Sequence, residues 1–187
     1  MWQVRFETSE KADYGFVINR QLDRVARVRT HVPRDMKESY SEAMFFWLFN
    51  YIMALEALYA LLIPELKDEE VREMLSAAAY LNILHQRCFS EIEYRADPRD
   101  ERAAELLKTN PKCVKFREKI DEVMNKYKIP RVGYISAIFY LCDKALEVML
   151  AKLNSSGLLM RGRVVKLGLS GGVDHVSGEL SQERYEE

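Results

Sequence analysis

Apolar residues along this chain recur mostly three and four positions apart, the spacing that lines one face of a helix. After Ser9 the stripe Ile18, Leu22, Val25 predicts a first helix that Pro33 closes. Ser39 and Glu42 form an S-x-x-E capping box, and Pro64 stops the run that follows. A helix over residues 39–63 would be roughly 37 Å long. Asp68, Glu69 and Glu70 place negative charge at the start of a third helix, whose stripe (Val71, Leu75, Ala78, Leu81, His85, Cys88) reaches to around Tyr94. Asp97–Pro98 and Asn110–Pro111 each read as an N-cap followed by proline at the first helical position. They open a short acidic helix and a longer one carrying Cys113, Phe116, Ile120, Val123 and Tyr127, which ends at Pro130. A last helix is expected from Gly133 to Asn154, with Ile135, Ile138, Cys142, Leu146, Met149 and Leu153 on one side and Gly157 as its C-cap.

Two short stretches depart from this period. Residues 2–8, WQVRFET, alternate apolar and polar side chains and predict a short strand or extended arm; 164–169 is the other strand-like piece. Beyond Gly157 the composition turns small and polar, which predicts an extended or mobile tail. The expectation is an all-α, single-domain antiparallel bundle of about six helices with short extended terminal segments. The bundle would occupy residues 1–157 and the tail 158–187.

With 48% apolar and 30% charged residues, the 187-residue chain has the make-up of a globular domain with one core, and not that of a disordered chain. The three cysteines, Cys88, Cys113 and Cys142, are odd in number and set in apolar stretches, which suits reduced thiols and an intracellular, cytoplasmic protein. The amino-terminal MWQVRFETSEKADYG lacks the apolar core of a signal peptide. Residues 43–63 are long and apolar enough to span a bilayer, but Glu56 falls within them and acidic Glu42 and Glu65 flank them. A helix covered by its neighbours is therefore expected, with a membrane-associated protein anchored by 43–63 as an alternative.

Catalytic patterns are sparse. His85 and Cys88 form an H-x-x-C pair without the further ligands that zinc needs, so His85 reads as a core histidine, and neither a metal nor a cofactor is expected. No G-x-S-x-G elbow occurs. The segment VVKLGLSGGVDHVSG, residues 164–178, resembles the strand and SGG-x-D loop of the PP-loop ATP pyrophosphatases, with Ser170, Gly171, Gly172 and Asp174 matching. That resemblance implies pyrophosphate held by backbone amides. However, His175 stands where that family has Ser, and only nine residues follow Gly178, so the segment is read as a turn. Arg24 and His31 are separated by six residues and resemble the Arg and His of HEPN ribonucleases, although Val25 replaces the polar residue usual there. A small helical enzyme of that kind is an alternative; no catalytic residue is assigned.

Charge is patterned although the formal net charge is only −1. Arg20, Arg24, Arg27 and His31 fall in a sector of about 60° on the first helix, opposite Ile18, Leu22 and Val25. On the same wheel Arg29 points inward. A second row, Lys112, Lys115, Lys119 and Lys126, shares a face interrupted by Glu122. Such rows can follow a phosphate backbone without reading sequence. Phe45, Phe46, Trp47, Phe49, Tyr51 and Ile52 surround the second helix so fully that a monomer would leave some uncovered, predicting a homo-oligomer. Together these features predict a non-catalytic protein that self-associates and binds an anionic partner, nucleic-acid backbone being the candidate.

Overall fold

A computed structural model describes residues 2–30, 42–95, 101–130 and 133–157, with side chains described for 14–30, 44–90, 101–130 and 133–157. Six α-helices follow in chain order among these residues: α1 (Trp2–Thr30), α2 (Glu42–Leu61), α3 (Glu69–Arg95), α4 (Glu101–Thr109), α5 (Pro111–Lys126) and α6 (Tyr134–Ser156). A 3-10 turn, Pro64–Leu66, lies between α2 and α3. No strand occurs among the described residues, and the fold is all-α.

Helix ends follow from local chemistry. The Asn110 side chain accepts a hydrogen bond from the Lys112 backbone N–H at 2.9 Å, and Pro111 sits at the first position of α5, where a missing N–H costs nothing. Asp68 Oδ1 accepts from the Glu70 N–H at 3.0 Å as α3 begins. Gly157 closes α6 at φ 71°, in the left-handed region that glycine enters without a Cβ penalty. The caps expected from Ser39 and from Asp97–Pro98, and the tail 158–187 with its 164–178 segment, lie outside the described residues.

One expectation is overturned: residues 2–8 are not extended but form the opening turns of α1. Alternation over a few positions makes a strand only where a second strand supplies hydrogen-bond partners, whereas a helix pairs its own backbone groups.

Side-chain contacts give the directions of packing. Tyr14 donates to the Leu61 carbonyl, and Gln21 Nε2 donates to the Ala54 carbonyl at 2.9 Å, so α1 runs antiparallel to α2. The Asn82 amide donates to the Phe45 carbonyl at 3.1 Å and joins α3 to the other flank of α2. Antiparallel pairing of α3 with α5 is fixed by Cys88 against Cys113 at one end and Lys126 against Glu73 at the other. For α3 and α6 the corresponding pairs are Phe89 with Tyr134, and Asp68 with Lys152. α3 is thus the central element, with α2, α5 and α6 packed on it and α1 outermost beyond α2. One continuous core collects residues from all six helices, from Ile18 on α1 to Leu153 on α6.

Candidate interaction surfaces

The register of α1 turns Ile18, Leu22 and Val25 into the core and leaves Arg20, Arg24 and Arg27 exposed on the opposite side, as the helical wheel requires. The Arg20 guanidinium lies 5.7 Å from the centroid of the Phe16 ring, itself exposed, so an aromatic face accompanies the basic row. His31 lies outside the described residues, and with it one half of the Arg24–His31 pair. Arg29, inward on the wheel, does point inward: its guanidinium meets both carboxylate oxygens of Asp143, at 2.8 and 2.7 Å.

The lysine row of α5 is on the surface too, and two of its members meet acid. Lys119 pairs with Glu122 at 2.9 Å and Lys126 with Glu73 at 3.1 Å. Lys115 lies 5.9 Å from the Tyr80 ring centroid, and Lys112 is exposed. α1 packs on α2, whereas α5 packs on α3 and α4, so the two basic rows occupy different flanks and form no shared groove.

The third surface is the outer side of α2. Its neighbours cover the face bearing Leu48, Leu55 and Leu58, but Phe46 is 56% exposed, Trp47 36%, Phe49 45% and Met53 47%. Phe45 is half-buried and stacks on Phe49 with ring centroids 6.1 Å apart. Of the expected interface residues, Ile52 must be withdrawn. It is 2% exposed and belongs to the core, as does Tyr51, because both project toward the side that α1, α3 and α6 cover. Met53 takes their place; its i, i+7 relation to Phe46 marks it as part of the same outer row.

Among the described residues most buried polar side chains are paired, Asn82 Oδ1 being an exception. Asp143 also accepts from the Tyr51 hydroxyl at 2.6 Å, joining α1, α2 and α6 through one carboxylate. Burial opposes charge on Arg29, but the hydrogen bond and negative charge of Asp143 outweigh it and hold the guanidinium protonated. Burial, then the Asp143 charge, push the Tyr51 hydroxyl and the Cys142 thiol well above their usual values, so neither is an activated nucleophile. His85 is buried between Phe89 and Phe116, with ring centroids 4.3 and 5.3 Å away, and burial lowers its pKa to about 3. The expectation of three reduced thiols is corrected: Cys88 and Cys113 form a disulfide between α3 and α5, and Cys142 alone is free. Antiparallel packing brings the two α-carbons to 4.6 Å although 25 positions separate them in sequence. Among the described residues no three of His, Cys, Asp and Glu converge as a metal site would need.

Comparison with known proteins adds no functional label: no protein-family model matches the chain, and no curated protein or solved structure matches it.

Proposed function

We propose that this protein works by association, with the outer face of α2 joining copies of the chain and the arginine row of α1 receiving an anionic partner, the phosphate backbone of a nucleic acid. The observation that carries this reading is the exposed row Phe46, Phe49, Met53 on a helix whose opposite face builds the core. Water-exposed aromatics at successive turns are favourable to bury, and interface cores are enriched in aromatics and methionine. Arg20, Arg24 and Arg27, one helical turn apart, can meet successive phosphates.

Titration against a labelled oligonucleotide tests the anionic half. Affinity falls steeply with salt, and Arg24→Glu weakens binding to every sequence by a similar factor and lowers the salt slope by about 1. Arg29→Glu, which places acid beside Asp143, disturbs folding instead. Absence of binding by the parent protein at low salt would leave only the self-association half standing.

One observation favours a second reading. The segment Met44–Leu61 has the length and composition to cross a bilayer, and less than half of it is buried within the bundle. A detergent requirement during purification would favour that membrane role.

A further inference from the structure

We infer that the outer face of α2 receives the same face of a second copy, the two α2 helices lying antiparallel about a two-fold axis at Met53. This rests on the self-association reading and adds its geometry. The outward stripe of α2 reads Phe46, Phe49, Met53, Ala57, Ala60, with spacings of three, four, four and three that are symmetric about Met53. Phe46, Phe49, Met53 and Ala60 are exposed, and Ala57 is partly so. Bulk is distributed unevenly: the amino-terminal half carries the rings and the carboxyl-terminal half only methyl groups.

A two-fold axis at Met53 uses that taper. It sets Phe46 opposite Ala60 of the second copy, Phe49 opposite Ala57, and Met53 opposite itself, so each large side chain meets a small one. Parallel pairing would stack ring on ring at one end and leave a void at the other, and voids forfeit packing contacts. Closed two-fold pairing through one self-complementary patch is the commonest form of homo-oligomer.

The area is sufficient. With roughly 200 Å² for a fully exposed aromatic side chain, Phe46, Phe49 and Met53, together with Val17 and Ile83 on the flanking helices, offer about 400 Å² of apolar surface per copy. A standard interface buries about 800 Å² per partner, a little over half of it apolar.

The test combines cross-linking with a size swap on the full chain. Met53→Cys forms a covalent dimer under mild oxidation, because a residue on a two-fold axis meets its own copy; the native cysteines are buried and do not compete. Ala60→Phe puts ring against ring and raises the dimer dissociation constant at least tenfold by light scattering. Phe46→Ala combined with Ala60→Phe reverses the taper and restores the dimer, which a folding defect would not do. A parent dimer with neither cross-linking at Met53 nor rescue by the swap overturns this geometry while leaving self-association intact. A parent that is monomeric at micromolar concentration overturns both. A monomer that floats with phosphatidylcholine vesicles assigns the face to a bilayer and overturns the pairing.

Discussion

His85 is held neutral by what surrounds it. Two phenylalanine rings and the α3–α5 packing leave no room for the water that would solvate an imidazolium, and its pKa falls to about 3 from the usual 6.5. Because the folded value lies below the unfolded one, the unfolded chain takes up a proton first as pH falls. The stability owed to neutral His85 is complete above about pH 6.5 and is lost as pH falls toward 3, at about 1.4 kcal/mol per pH unit. His85→Phe removes this titration. Denaturant unfolding between pH 6 and pH 4 shows a shallower loss for the variant than for the parent; parallel curves would mean that His85 is protonated in the fold. The sequence places this residue on an apolar stripe, and the stripe is informative because a histidine set among leucines on one helix face is most simply a buried, uncharged ring.

At the scale of helices, Asp143 does what no single packing contact does: one carboxylate bonds Arg29 on α1 and Tyr51 on α2 from its place on α6. Removing one member of such a pair strands the other charge in poor solvent, which costs about 3 kcal/mol. Asp143→Ala therefore lowers the unfolding free energy by about 3 kcal/mol. Replacing Arg29 and Asp143 together with Met and Leu costs clearly less, since no charge is left unpaired. Equal losses in the single and double variants, measured by denaturant midpoint, would refute an electrostatic tie. Arg29 was readable from register alone, half a turn from Arg20, Arg24 and Arg27. Asp143 was not: nothing in a sequence shows which acid on a helix more than a hundred positions away will meet a given arginine.

For the whole molecule, most helices and those ends set by Asn110 and Gly157 were legible because capping acts over four residues or fewer, whereas the alternation of residues 2–8 hid the start of α1. The outward side of α2 was not legible, because a helix that is apolar all round gives no preferred direction. Only the placement of α1, α3 and α6 separates the buried Tyr51 and Ile52 from the exposed Phe46 and Met53. The basic row of α1 was anticipated in position, while the pairing of Lys119 and Lys126 with carboxylates depends partly on a tertiary neighbour, Glu73. The bond between Cys88 and Cys113 was the largest surprise, since it depends wholly on how α3 and α5 pack.

That bond makes a closed covalent ring of the chain between the two cysteines, with α4 lying wholly inside it. A backbone cut within the ring, for example by trypsin beside the exposed Arg102, leaves the two fragments tethered through sulfur. The nicked protein runs as one species in denaturing electrophoresis without a thiol and as two after reduction. Two bands before reduction would show the sulfurs unbonded. A chain built this way can lose the continuity of its backbone at α4 and still remain a single molecule, so that its integrity there is held by the state of two sulfur atoms as well as by the peptide bond.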